Sequence, residues 1–561
     1  MHSSSGRDKH GDVARSFAAE KAVAKGRCPC QSDSWSARGR ELTFDDSTSC
    51  ELHSRLKPLP QSFARAAPTG FLQAFAALQG FVLAVLLLGS AQSMASLAVY
   101  VGKDLTRDAS VMLAGFGDEP SSHWLSIVPR RQHPEGATIR VGADGPAGWG
   151  NSLPGELIEI PQARETFRYL SMDYSEFAGF PAPLTNGGMN EHGLGVRDVA
   201  LFSRDELVAM TPDPQRGPQY SDLARIALER ARTAREAVKI SVELIERHGF
   251  TTYGGNSHVF ADPEEGWVLL EFAGGQGLWV ARRLGSDEIW MNWRGYHETG
   301  YVRTLPADWR DDPDYLAPDH FISFAVDQGW HPPVEPGDSF DVIGAYVRAD
   351  QYSDRTEREA RRVRSELEAR APEIDVEDLM SHLHAAGRDS SGYGQVAHLR
   401  ADLTADLRTL WVAPGPPITA AFIPWRIGVE SIPPEYQRHR YLTAGEDQRN
   451  ITPEQRGIES TRYANRAVKR LLYLVDEHRD EFLPQVVTAL AGFEGQLREV
   501  QPDVERSARL LIEAGEPGLA RRLLTEHANM AAGEGLRLIQ DLAVGIEART
   551  RAVHGIRRPA P

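Results

Sequence analysis

The sequence predicts an α+β fold of layered sheets covered by helices, and three observations carry that prediction. Short runs with two-residue alternation, joined by turn residues, occupy much of the stretch from residue 96 to about 200. The period then becomes helical for residues 221–249, and hairpin patterns resume from Ser257 to Asn292. Strands that return through turns, with the helices bunched rather than set between every pair, point to α+β layering and not to a parallel βαβ sheet.

Taken in order, Val99 and Val101 lie on one face of a first strand, a polar turn spans Lys103–Asp108, and Val111–Ala114 returns as the second arm of a hairpin. Gly115-Phe-Gly-Asp118 leaves that arm, and its two glycines permit close approach to whatever Asp118 faces. Leu125–Val128, Thr138–Val141 and Glu156–Ile160 are further strands. Leu184–Val196 reads as strand, Gly-rich turn and strand, with Asn190 near the turn. Ser221 caps one helix, and Thr233 with Glu236 makes a capping box for a second that Gly249 stops. Strands follow at Ser257–Ala261, Trp267–Phe272, Gly277–Ala281 and Glu288–Asn292. Beyond residue 300, Arg355–Ala371 and Asp375–Ala386 are helical, and Leu407–Ala413 is a strand paired with Ile418–Ile423. From Thr452 the chain is helical almost to its end, with apolar stripes such as Val468, Leu471, Leu472 and Val475. No fixed-period repeat is present, which favours a helical layer over the sheets rather than a separate solenoid.

Phe81–Leu88 is a short apolar core that follows Arg65, and Ser93 and Ala95 put small residues at the third-last and last positions before a cut at Ala95/Ser96. This is a signal-peptidase pattern, and it predicts a secreted or periplasmic protein. The organisation expected is 1–64 as a disordered extension or a start assigned too far upstream, 65–95 as leader, 96–440 as catalytic domain and 441–561 as helical region. The alternative is a membrane anchor over residues 70–95. Its uninterrupted apolar segment of eight residues is short of the roughly 20 that a spanning helix needs. No stable membrane insertion is expected after cleavage.

The net charge of the chain is −16, and losing residues 1–95, with 11 Lys and Arg against 8 Asp and Glu, leaves −19. A body this acidic is a poor partner for a phosphate backbone, so nucleic acid is excluded as a ligand. Cys28, Cys30 and Cys50 all precede the cut, so the mature chain has no disulfide framework and no thiolate metal site. No cofactor or metal is implied. The sequence leaves open whether the chain forms a homo-oligomer.

Cleavage before Ser96 gives one residue both a hydroxyl nucleophile and a free α-amine. With a pKa of about 7.7 to 8.0, that amine is partly neutral near pH 7 and can take the hydroxyl proton. Acyl transfer needs two more parts, a group to orient the amine and donors for the oxyanion. Asp118 is the candidate for the first, and Asn190 and Asn292 are candidates for the second. A Ser-His-Asp triad drawing on His123, His192 or His258 lacks the Gly-x-Ser-x-Gly elbow. Gly274-Gly-Gln-Gly277 lacks the Lys-Ser/Thr of a phosphate loop, and Trp279, Trp290 and Trp293 read as core or rim aromatics rather than a stacking platform.

Ala95–Lys103, Ser110–Asp118 and Gly188-Met-Asn-Glu-His-Gly193 resemble peptidase family C69, the dipeptidase and secernin group of N-terminal nucleophile hydrolases. The likeness continues through Ala261–Val268, Gly274-Gly275 with Trp279, Trp411–Gly415 and Phe422–Trp425. It implies a four-layer αββα sandwich with a C-terminal helical extension, removal of a leader, and metal-independent hydrolysis of short peptides, a small peptide being the partner. By position it assigns Ser96 as nucleophile, Asp118 as the aspartate beside it, Asn190 as the oxyanion asparagine and Asn292 as the later strand-end asparagine. Gly188 and Arg294 are candidate substrate contacts. Two departures stand out: serine replaces the usual cysteine, and Gly115 and Phe116 replace the family's arginine and asparagine. Arg294 or Arg130 is the candidate replacement for that cation. The readings are therefore a dipeptidase, an amidohydrolase acting on a non-peptide N-acyl substrate, or an inactive relative that kept the fold as a binding protein.

Overall fold

The alternating run after Ser96 forms the hairpin that its pattern predicts. Leu97–Val101 (β1) and Val111–Gly117 (β2) pair antiparallel, with Leu97 opposite Phe116 and Val101 opposite Met112. The structure, a computed structural model, describes residues 96–117, 123–147, 153–174, 180–181, 184–293, 300–349, 354–437 and 463–555. The expected leader and the stretch before it lie outside the described residues, as do Asp118, Arg294 and the helix start expected at Thr452.

Next come His123–Val128 (β3), Tyr169–Tyr174 (β4), Leu184–Asn190 (β5) and Gly195–Ala200 (β6), then the helices Tyr220–Arg230 (α1) and Ala234–His248 (α2). Strands resume as Gly255–Ala261 (β7), Gly266–Phe272 (β8), Trp279–Leu284 (β9), Ile289–Trp293 (β10) and the short Tyr315–Leu316 (β11). After them run Asp354–Glu368 (α3), Val376–Ala386 (α4), Tyr393–Leu399 (β12), Thr409–Ala413 (β13) and Ile423–Arg426 (β14). The C-terminal helices are Ala464–Asp476 (α5), Arg479–Glu513 (α6) and Pro517–Val553 (α7).

These strands make two sheets, one in the order β10-β1-β2-β12-β13-β14 and one in the order β11-β9-β8-β7-β6-β5-β4-β3, with every neighbouring pair antiparallel. Leu223 and Ile226 of α1 and Val238 of α2 are buried with Val196, Phe260 and Leu269 on the outer face of the larger sheet. Val363 of α3, Leu383 of α4, Leu471 of α5, Leu490 of α6 and Ile539 of α7 share one core with the smaller sheet. The layers are therefore helix, sheet, sheet, helix, and the C-terminal helices are part of the outer one. Among the described residues no helix is long and apolar enough to cross a membrane.

Local chemistry explains where the elements shift from the sequence reading. The cap of α1 is Gln219 rather than Ser221: its side chain accepts from the Ser221 N–H, and Asp222 reaches back to the Gln219 N–H. Thr233 does cap α2, but the Glu236 carboxylate takes the Arg232 N–H instead of closing the box on Thr233. Residues 418–423 do not form a strand throughout. Pro416 and Pro417 hold a 3₁₀ turn, which Pro at a first helical position favours, and pairing with β13 begins only at Ile423.

Candidate active site

Ser96 stands half-buried at the head of β1. Successive side chains of a strand point to opposite faces, so Ser96, Ala98 and Tyr100 share the face turned toward the larger sheet, where the Tyr100 ring lies over Gly266 of β8. Ala98 is opposite Asn292 of β10 on one side and Gly115 of β2 on the other. The register thus brings Asn292 onto the face that Ser96 shares, one step along from it. Its buried amide makes a long 3.5 Å bond to Ser257 Oγ, and its carbonyl oxygen has no partner among the described residues. Ser257 Oγ itself donates to Val199 O at 2.7 Å, so the asparagine is only lightly held.

From the facing sheet comes a side chain that the sequence reading missed. Arg197 of β6 is completely buried, and its Nη2 donates to Phe116 O at 2.8 Å, Asp198 O at 3.1 Å and Leu97 O at 3.4 Å. Its Nη1 donates to the Tyr393 hydroxyl of β12. The Tyr393 ring lies against His123, with centroids 5.2 Å apart, and His123 stacks on Tyr174 at 4.9 Å. Gly187 makes room for this group, since a Cβ there would come within 2.3 Å of the Tyr393 hydroxyl. The sequence holds only a partial signal for Arg197: Gly-Val-Arg-Asp-Val places two charges within a strand that is otherwise apolar, and which of them faces inward is decided by the packing of β6.

Several predicted roles need correction. Asn190 is buried, with both amide hydrogens spent on Leu228 O at 3.1 Å and Ala231 O at 2.7 Å. Its Oδ1 accepts from the N–H groups of His192 and Leu194 at 2.9 and 3.1 Å. It therefore ties the β5–β6 turn to the end of α1 and has no donor left for an oxyanion. Gly188 lies in β5, packed where a Cβ would come 2.3 Å from Leu170 O. Arg130 does not replace the missing cation, being half-exposed and paired with Glu165 at 2.7 Å and Glu191 at 2.9 Å. The cation over Gly115 is Arg197, whose Nε would lie 2.9 Å from a Cβ built on that glycine.

His258 is no part of a serine triad. Its Nδ1 meets Glu271 Oε1 at 2.6 Å and its Nε2 meets Tyr220 O at 2.9 Å. Burial alone would lower its pKa, but the Glu271 carboxylate outweighs burial and raises it. Burial holds His192 below the usual imidazole range, with its ring against Phe167. Trp279, Trp290 and Trp293 are buried in the core. Among the described residues no cluster of three or more His, Cys, Asp or Glu is arranged to hold a metal ion.

Two face-packed antiparallel sheets clad by helices, with a serine at the head of an inner strand, define an αββα sandwich whose candidate site lies at one end of the seam between the sheets. Residues 97–384 match the model of peptidase family C69, and the chain belongs to that family. It is 27% identical over 211 residues to a probable dipeptidase B of Streptococcus pyogenes, covering 37% of this chain and 39% of the relative. It is 25% identical over 278 residues to a probable dipeptidase of Salmonella dublin, covering 49% and 58%. The chain thus spans about two fifths to three fifths of the length of these relatives. Among solved structures, penicillin V acylase from Agrobacterium tumefaciens aligns over 59% of this chain and 86% of its own, at 14% identity and a TM-score of 0.31. A mutant conjugated bile acid hydrolase from Clostridium perfringens aligns over 56% and 88%, at 13% identity and a TM-score of 0.27.

Proposed function

We propose that the protein is a hydrolase of short peptides, a dipeptidase, exported behind its leader and activated by cleavage between Ala95 and Ser96. Membership of family C69 and relatives named as probable dipeptidases support peptide bonds as the target. The observation that carries the reading is the convergence at one end of β1 of Ser96, the lightly held Asn292 amide and the Arg197 guanidinium.

In this reading the Ser96 amine takes the proton from Oγ as Oγ bonds to the scissile carbonyl carbon. The Asn292 amide donates to the oxygen that becomes negative. The C–N bond then breaks, the leaving nitrogen receives the proton, and water, activated by the same amine, hydrolyses the ester left on Ser96. Asp118 is the carboxylate assigned to hold the amine, and Arg294 remains the proposed substrate contact.

Ser96→Ala tests this. Turnover of a dipeptide panel should fall at least about 1,000-fold with the thermal midpoint little changed, since Ser96 is only half-buried and precedes the first paired residue of β1. Undiminished turnover in that variant would end the proposal. N-acyl amines assayed beside the dipeptides report whether the acyl group must be an amino acid.

A further inference from the structure

We propose that Arg197 is the positioning residue of the Ser96 site: it fixes the backbone beside Ser96, and its charge keeps the Ser96 amine in the neutral, proton-accepting form. The inference rests on the reading of Ser96 as an N-terminal nucleophile.

The backbone part follows from geometry. Leu97 and Phe116 are the last registered pair of the β1–β2 ladder at the end where Ser96 stands. One nitrogen of Arg197 donates to both of their carbonyl oxygens, at 3.4 and 2.8 Å, so the guanidinium closes the ladder there. The guanidinium is held in turn by the Tyr393 hydroxyl and by Asp198 O. Gly115 is part of the device, because a Cβ at that position would stand 2.0 Å from Leu97 O and 2.9 Å from Arg197 Nε. A side chain there would displace the carbonyl, the guanidinium or both.

The electrostatic part follows from burial. A guanidinium stays charged in proteins, and this one is wholly removed from water with Nη2 3.4 Å from the carbonyl oxygen of the residue after Ser96. A like charge at that range disfavours the protonated amine, and the low local dielectric strengthens the effect. The elements packed around the Leu97 carbonyl bring the following described titratable and charged groups. β6 gives Arg197 and Asp198, the latter's Oδ2 accepting from the Asn256 amide at 3.3 Å. β12 gives Tyr393, and β3 gives His123 behind it. β10 offers the neutral Asn292, and β2 offers Gly115 and Phe116. Asp118, the carboxylate assigned to the amine, would act in the opposite sense and lies outside the described residues.

The test is the pH dependence of dipeptide turnover in the mature protein, compared among wild type, Arg197→Gln and Arg197→Lys, with Ser96→Ala as control. Arg197→Gln should move the acid limb of the kcat/KM profile up by about one pH unit, so that its loss is roughly ten-fold larger at pH 6 than at pH 8.5. Arg197→Lys, which keeps the charge and loses the fork, should leave the limb in place and lower kcat throughout. If Arg197→Gln gives no cooperative melt, Arg197→Lys decides: a wild-type limb supports the proposal, and a displaced one overturns it. A folded Arg197→Gln with an unmoved limb, beside an inactive Ser96→Ala, overturns this inference alone. A fully active Ser96→Ala overturns the reading beneath it and this inference with it.

Discussion

The amide of Asn190 donates a 2.7 Å hydrogen bond to the carbonyl of Ala231, the residue that ends α1. With its bonds to Leu228, His192 and Leu194, this makes Asn190 a structural knot, whereas Asn292 at the head of the seam keeps a lightly held amide.

The two asparagines should therefore fail differently. Asn190→Ala strands two buried carbonyls and two N–H groups and should cost about 2 to 4 kcal/mol of stability. Turnover per folded molecule should stay near normal. Asn292→Ala should leave the thermal midpoint within a degree or two and lower kcat roughly 100- to 1,000-fold. Thermal melts and kcat measured on both variants check the pair, and the reverse pattern would return the oxyanion role to Asn190.

A second expectation concerns acid stability. Burial, helped by the Arg426 guanidinium 3.5 Å away, holds the His527 imidazole down at about 4. An unfolded chain takes up that proton near pH 6.5. The unfolded state therefore binds more protons between these values, so the contribution of His527 is fully present above pH 6.5 and is lost as pH falls toward 4. His527→Gln should flatten the fall in thermal midpoint between pH 7 and pH 4.5. An unchanged slope would show that other groups set it.

Much of the fold was legible because most of its strands alternate and its turns carry Gly, Pro and Asp. The β1–β2 hairpin, the α1–α2 pair and β7 to β10 all stand where the periodicity puts them, within a few residues. What escaped was polar chemistry inside buried strands. β12 lies at the centre of its sheet, yet Tyr393 and Gln395 face the seam, so it lacks the apolar alternation that marks a strand. Arg197 escaped for the same reason, since its role exists only when β6 is laid against β1 and β2. Asn190 misled in the other direction: it ends β5 just before the turn, and the carbonyls at the end of α1 that claim its amide are some forty residues away in sequence.

The most direct test of the central claim is the identity of the first residue of the active, exported protein, read by N-terminal sequencing or intact mass. Ser96, with its α-amine free, is the expected first residue. A chain that hydrolyses dipeptides at full rate while residues before Ser96 remain attached would contradict the central claim, because the hydroxyl and its base could not then belong to one residue.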